Sequence, residues 1–326
     1  MITELQAGTW GRLLELRGRV PHALLLHGAE GVGKLALAER FAQALLCEHV
    51  SPPGEPCGRC DACRWFAAAN HPDVRYVEPE AIAHPRGGTE ESGQRQGKPS
   101  RPSREIKVDQ IRALADFVHL GSHRGGVRIA ILHPAEQMNP AAANALLKSL
   151  EEPPAGAIFL LVSHRPGRLP ATVRSRCVAI PVPLPDAAAA HAWLERQGIE
   201  SARRWLAFAG GAPRKALDWA TSEQSRAVEE LIRGFEAGDP RTILRVQECD
   251  IELLADAAQK FALDRAFSGL AGRVKYFPLR AAAAGGAPAG TWLACARQLG
   301  VLRQLARYPL NPKLFAEELL SCLPSE

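Results

Sequence analysis

The sequence predicts an α/β domain with a parallel sheet over residues 1–183, followed by a small helical lid domain (184–221) and an all-α C-terminal domain (222–326). In the first half, short apolar runs alternate with helix-like stretches, and a glycine-rich loop follows the first run. Such alternation is typical of a sheet covered by helices. From about residue 222 onward, apolar positions recur at helical spacing, which indicates helices.

Five short runs predict the strands of the first domain, and several of them are apolar throughout, as strands covered on both faces should be. They are His22–Leu26, Val74–Val77, Val127–Leu132, Ala157–Val162 and Cys177–Ile180. Helices are expected between them. Asn139 can cap a helix that starts at Pro140 and stops at Pro153, and another runs from about Asp109 to Leu120.

Residues 79–104 interrupt this alternation. Eleven of these 26 residues are Gly, Pro or Ser, and none is aromatic. A segment of that composition buries little apolar surface, so we expect a flexible insertion.

The glycine-rich loop matches the phosphate-binding pattern G-x-x-x-x-G-K-S/T at every position but the last. In such a loop, backbone N–H groups around Gly28, Gly31 and Gly33 cradle phosphates, and Lys34 reaches the terminal ones. The final Ser or Thr binds Mg²⁺ through its hydroxyl, and Leu35 has none. The loop therefore predicts a degenerate site for ATP or ADP, and whether nucleotide binds there is left open.

A second deficiency follows the predicted strand Val127–Leu132. A working P-loop ATPase carries an acidic residue there to hold Mg²⁺, but this strand runs into His133 and Pro134. Imidazole is a poor ligand for a cation that prefers oxygen, and Glu136 is expected on the next turn. We therefore expect no intrinsic ATPase activity in the isolated chain.

Four cysteines lie close together in a C-x9-C-x2-C-x2-C pattern, at Cys47, Cys57, Cys60 and Cys63. Four thiolates at this spacing suit a closed, structural Zn²⁺ site. An iron–sulfur cluster and four free structural cysteines are the alternatives. The bacterial ferredoxin pattern places its fourth cysteine downstream before a proline, whereas here it lies upstream, so zinc is favoured.

Composition excludes few classes of function. The chain has 46% hydrophobic and 23% charged residues, as ordinary globular proteins do. Its formal net charge of +5 is too small to indicate nucleic-acid binding. The N-terminal segment lacks the features of a secretion signal, and the run Ala157–Val162 is too short to cross a bilayer. We therefore expect a cytoplasmic protein.

Taken together, these segments resemble the subunits of the bacterial DNA polymerase III clamp loader, within the AAA+ family. The resemblance rests on residues 22–34, the four-cysteine insert, residues 106–112 and, most specifically, residues 139–154 followed by 168–177. It covers nearly all of residues 1–220, whereas the last hundred residues match only in helical character. Leu35 and His133 favour a non-motor subunit over the gamma/tau kind, which has an intact loop.

The resemblance implies a AAA+ domain with a zinc module, a lid, and a C-terminal collar where subunits assemble. It implies gamma/tau and delta subunits as partners in loading the sliding clamp on primed DNA. The arginine of Ser175-Arg176-Cys177 would act in trans on ATP held by the neighbouring gamma/tau subunit. The stretch Gly210–Leu217 matches the family's sensor-2 region, which makes Arg214 a candidate phosphate contact.

Two other classes of function remain as alternatives. The loop alone is compatible with a self-sufficient P-loop ATPase, of the gamma/tau type or another nucleotide-dependent motor. A zinc-dependent DNA-binding regulator would need a recognition helix and a basic stripe, and the sequence indicates neither. Arg176 alone would be interpreted as a surface arginine in a modest ion pair.

Overall fold

The computed structural model describes residues 2–51, 54–83, 102–120, 126–246, 250–278, 287–306, 308 and 310–324. The chain separates into two compact units, Met1–Leu184 and Pro185–Glu326. Most of the predicted flexible insertion, residues 84–101, lies outside the described residues. The further division of the helical part into a lid (184–221) and a C-terminal domain (222–326) stays a prediction.

The first unit is built on a parallel five-stranded sheet, which confirms the predicted fold class. Its strands are β1 (Ala23–His27), β2 (Val74–Val77), β3 (Arg128–Leu132), β4 (Ala157–Ser163) and β5 (Val178–Pro181). They are arranged in the order β2-β3-β4-β1-β5. Strands β3 and β4 are buried along their whole length, whereas the edge strands β2 and β5 are partly exposed. The predicted strands agree to within about one residue.

The first unit has seven α-helices among the described residues, several of which pack against this sheet. They are α1 (Ile2–Leu5), α2 (Ala7–Leu16), α3 (Lys34–Leu46), α4 (Asp61–Ala67), α5 (Val108–His119), α6 (Pro140–Glu151) and α7 (Ala171–Arg174). The Asn139 side chain accepts a hydrogen bond from the Ala142 N–H at 2.8 Å, which confirms the predicted cap of α6. Apolar faces of α5 and α6 pack in one core with β3 and β4.

The second unit is helical in the residues that the structure describes. Its helices are α8 (Ala187–Arg196), α9 (Ala202–Phe208), α10 (Pro213–Ala220), α11 (Ser225–Glu236), α12 (Thr242–Arg245), α13 (Ile251–Ala271), α14 (Ala289–Leu305) and α15 (Pro312–Ser321). Phe208, Phe235, Phe261 and Phe277 form its aromatic core, with ring centroids 4.8–6.3 Å apart. Among the described residues, no helix combines the length and apolar character that a bilayer span requires.

A buried carboxylate organises one end of this aromatic core. Asp264 of α13 is fully buried and accepts the backbone N–H groups of Lys275, Tyr276 and Phe277 at 2.8–2.9 Å. Three charge-assisted hydrogen bonds compensate the loss of water around the carboxylate. They hold the segment after α13 so that the Phe277 ring stays in the core.

Candidate functional site

The glycine-rich loop connects β1 to α3 at the carboxyl edge of the sheet. Gly28, Gly31 and Gly33 adopt φ angles of 151°, 77° and 94°, which residues with a Cβ rarely reach. At Gly28, a Cβ would lie 2.2 Å from the carbonyl oxygen of Val182. The backbone path of the loop therefore depends on its glycines, while its binding of phosphate stays a prediction.

Lys34 is turned back onto this loop. Its Nζ donates hydrogen bonds to the carbonyl oxygens of Gly28 at 2.9 Å and Ala29 at 2.5 Å, and the residue is buried. Burial lowers the pKa of Lys34 to about 8, although the carboxylates of Glu136 and Glu30 favour the charged form. The ammonium remains the main form at neutral pH, so the loop holds a buried positive charge.

Two histidines lie at the ends of the neighbouring strands. His133 follows β3 and His164 follows β4, and their rings pack edge to face with centroids 5.2 Å apart. His133 Nδ1 lies 3.5 Å from Oε1 of Glu78. Neither imidazole nor the side chain of Leu35 offers the oxygen that Mg²⁺ prefers.

Glu136 is one of two carboxylates, with Glu30, that interact electrostatically with Lys34. Both of its carboxylate oxygens accept the backbone N–H of His164, at 3.0 and 3.2 Å. The carboxylate therefore stabilises the end of β4 and compensates the charge of Lys34.

His164 is a second titratable group at this edge whose pKa is shifted. Burial, together with the nearby charge of Lys34, lowers the pKa of His164 to about 4. Its Nδ1 is buried and has no hydrogen-bond partner in the part of the chain that the structure describes. His164 is therefore neutral near pH 7, which avoids a second positive charge beside Lys34.

The four predicted ligand cysteines form one cluster, contributed by the end of α3, the loop after it and the first turn of α4. Their sulfur atoms all lie within 4.8 Å of one another, with Cys47 and Cys60 3.9 Å apart and Cys57 and Cys63 4.0 Å apart. Metal–sulfur bonds of about 2.3 Å in a tetrahedron place the sulfurs about 3.8 Å apart. The cluster therefore fits a tetrahedral metal ion.

Backbone N–H groups point at three of these sulfurs. Those of Cys57, Cys60 and Cys63 donate to the Sγ atoms of Cys47, Cys57 and Cys60 respectively, at 3.3–3.4 Å. Such donors, chiefly Arg59 and Cys60, lower the pKa of Cys57 to about 6, whereas burial raises the pKa of Cys63 to about 12. A bound cation would stabilise the thiolate form of Cys63, which burial otherwise disfavours.

Arg176 lies in the connection between α7 and β5, at the surface of the first unit. Its side chain is 34% exposed, and Nη2 pairs with Oε1 of Glu151 at 2.5 Å. Nη1 donates to the carbonyl oxygen of Thr172 at 2.8 Å. The arginine is thus partly accessible and held by its own chain.

Arg214 lies in α10, in the second unit. Its side chain is exposed and pairs with Asp218 one helical turn later, at 3.0 Å. A phosphate contact by Arg214 stays a prediction.

The structure thus brings the four predicted loop residues together between β1 and α3, and it brings the four cysteines into one cluster.

A comparison with known families assigns the first unit. Residues 13–185, more than half of the chain, match the family described as DNA polymerase III, delta subunit. The chain belongs to this DNA polymerase III delta-subunit family. The matched residues include the glycine-rich loop, the cysteine cluster and Arg176, and they end before Arg214.

Individual relatives agree with this assignment. The DNA polymerase III subunit delta' of Pseudomonas aeruginosa is 42% identical over 212 residues, 64% of this chain and 58% of that protein. The match thus spans little more than half the length of this curated relative. The DNA polymerase III subunit tau of Salmonella typhimurium is 34% identical over 161 residues, 49% of this chain and 21% of that protein.

A solved structure shares the fold of this member of the delta-subunit family. It is a DNA polymerase III gamma subunit-related protein from Thermotoga maritima, with a TM-score of 0.51 and 16% identity. The similarity covers 96% of this chain and 97% of that one. At this identity the comparison supports the predicted fold class and nothing finer.

The roles of His164, Glu136 and Glu151 were not predicted from the sequence. His164 follows a buried strand as His133 does, and carboxyl ends of neighbouring parallel strands share one edge, so that signal was present. Glu136 was noted, but its hydrogen bond to the His164 backbone spans 28 positions. The pairing of Glu151 with Arg176 has no local signal in the sequence.

We expect His164→Gln to weaken the acid sensitivity of the fold. The pKa of His164 is lowered from about 6.5 to about 4 on folding, so the unfolded chain binds an extra proton between these values. The free energy of unfolding therefore falls as the pH decreases from 6.5 to 4. The free energy of unfolding, measured by denaturant unfolding at several pH values, should change less steeply with pH in His164→Gln over this window.

A matched control for this prediction is His119→Gln, because His119 is exposed at the end of α5. It should retain the slope of the original protein. Equal slopes for the original protein and His164→Gln would contradict the assigned role of His164.

Proposed function

We propose that this chain is the delta-prime, non-motor subunit of a bacterial DNA polymerase III clamp loader. It would help load the sliding clamp on primed DNA during DNA replication in the cytoplasm, with gamma/tau and delta subunits as partners and DNA reached through the complex. The proposal is carried by one observation. The loop keeps a buried Lys34, while Leu35 and His133 stand where side-chain oxygens would hold Mg²⁺.

In this proposal, ATP is hydrolysed on a neighbouring subunit. A planar guanidinium that enters a neighbour's ATP site stabilises the charge that spreads over the transferring phosphoryl group. Arg176 is partly exposed in the short α7–β5 connection, which supports a role at an edge between subunits. In the same proposal, residues 184–221 form a lid and 222–326 a collar for subunit assembly.

We further propose that the cysteine cluster holds structural Zn²⁺. Four sulfur donors leave no coordination position open to water, which is typical of structural rather than catalytic zinc. The Arg40–Glu55 pair, at 2.7 Å, joins α3 to the loop that carries Cys57. Because its four ligands come from these segments, a zinc ion would connect α3, that loop and α4.

The zinc proposal predicts one zinc ion for each chain, measured by elemental mass spectrometry. Cys63→Ser should reduce zinc content and lower the melting temperature, because a buried ligand of a closed site is lost. Cys177→Ser, a control at a half-buried cysteine outside the cluster, should keep the full zinc content. Iron in place of zinc, or full zinc in Cys63→Ser, would overturn this proposal.

The isolated chain is expected not to turn over ATP. With neither a hydroxyl at Leu35 nor a carboxylate directly after β3, Mg²⁺ lacks its usual protein ligands. When a fluorescent ATP analogue is titrated onto the isolated chain, the binding curve should therefore be the same with and without Mg²⁺. Intrinsic ATP turnover that Lys34→Ala abolishes, but Lys148→Ala at an exposed site on α6 does not, would instead favour a self-sufficient ATPase.

Arg176→Ala is expected to lower the DNA-stimulated ATPase rate and clamp loading of a reconstituted complex. Removing an arginine of this kind slows the site that it serves by about 10³-fold or more, so the total rate falls by that site's share. Arg176→Lys should recover little, because an ammonium lacks the planar fork of donors.

Arg174→Ala is the matched control, since Arg174 is exposed at the end of α7. It should leave both rates unchanged. A complex with Arg176→Ala that loads clamps at the original rate would show that the trans-acting role is wrong.

A further inference from the structure

The Arg176 side chain is folded back onto its own subunit. Nη1 donates to the carbonyl oxygen of Thr172, four residues earlier, and Nη2 pairs with Glu151. Both terminal nitrogens of the guanidinium are therefore engaged within the chain. These nitrogens form the tip of the side chain, which would have to reach a phosphate on a neighbouring subunit.

Helix preferences alone do not explain the carboxylate at position 151. Glu151 is the last residue of α6, where the helix dipole presents partial negative charge and disfavours an acidic side chain. The guanidinium of Arg176 supplies the positive charge that compensates this cost. The pairing thus gives Glu151 a favourable environment that its own helix does not.

Arg176 in turn lies at the end of a helix where a cation is favoured. It follows α7, and the Thr172 carbonyl is in the last turn of that helix. Carbonyl groups in the last turn lack a partner within the helix and accept hydrogen bonds from nearby cations. The guanidinium therefore bridges the carboxyl ends of α6 and α7, two helices that contact each other.

The ion pair between Arg176 and Glu151 can be broken at little cost in free energy. The side chains of Arg176 and Glu151 are 34% and 49% exposed, and ion pairs at such exposure contribute little net stability because water competes. A phosphate and a carboxylate bind the same donors of a guanidinium. A phosphate presented by a docked neighbour can therefore displace the carboxylate at modest cost.

We propose that Glu151 is a positioning residue that retains Arg176 on its own subunit until a neighbour's nucleotide phosphate competes for the guanidinium. The inference rests on the proposed trans-acting role of Arg176. Glu151 would thereby restrain ATP hydrolysis in the assembled complex before DNA is bound. Its effect is exerted through Arg176 alone.

The test is Glu151→Gln in the reconstituted complex, assayed for ATP hydrolysis without DNA. The amide keeps the size of the side chain and removes its charge. We expect kcat at the site that Arg176 serves to rise by about two- to five-fold, the range that loss of an exposed ion pair allows, so the total rate rises by that site's share. KM for ATP should stay the same, because Arg176 acts on the transferring phosphoryl group and not on nucleotide affinity.

Two further variants separate the proposed mechanism from a general structural effect. Glu152→Gln removes the adjacent exposed carboxylate, whose residue caps α6 through its backbone N–H, and it should leave kcat unchanged. Combined with Arg176→Ala, the Glu151→Gln substitution should have no effect on kcat. If Glu151→Gln does not fold, Glu151→Asp withdraws the charge by one methylene and should raise kcat by a smaller factor.

The outcomes distinguish this inference from the proposed function. If Arg176→Ala lowers the ATPase rate but the Glu151 variants leave kcat unchanged, the restraint is wrong and the trans-acting role stands. If Arg176→Ala itself has no effect, both fail. A change in kcat caused by Glu151→Gln in the Arg176→Ala background would also overturn the inference, because Glu151 would then act by another route.

Discussion

The arrangement of the candidate site depends on one buried positive charge. Lys34 enters the sheet edge at the start of α3, and the carbonyl groups of its own loop, together with Glu136, compensate for the water that it loses. Burial of the imidazole, together with that nearby charge, keeps His164 neutral near pH 7. The oxygens of Glu136 accept the backbone N–H of His164, at the end of β4. The lysine of the loop thus has a structural role that requires no nucleotide.

The parts of the fold that could be predicted are those with local physical causes. Strands β1, β3 and β4 are apolar because helices cover both faces, so their runs could be located within about one residue. The cap at Asn139 depends on residues only three positions apart. The cysteine spacing likewise indicated the cluster, because short loops limit how far apart its sulfurs can lie.

The parts that could not be predicted depend on contacts between distant positions. The strand order places β4 between β3 and β1, and no local pattern encodes which strands become neighbours. The engagement of Glu136 by the His164 backbone follows from that order. In the second unit, helical periodicity was visible, but the role of Asp264 as an acceptor for the segment after α13 depends on the folded path of the chain.

The close approach of Gly28 to the Val182 carbonyl has a consequence for how the glycine signature is interpreted. A side chain at position 28 would collide with backbone, so loss of this glycine would harm packing whether or not a phosphate ever occupies the loop. Natural selection can therefore maintain the signature in a protein that has given up hydrolysis. A genome survey that counts such signatures as enzymes would overestimate the number of ATPases, whereas the residue after the lysine and the residue directly after β3 indicate whether Mg²⁺ can be held.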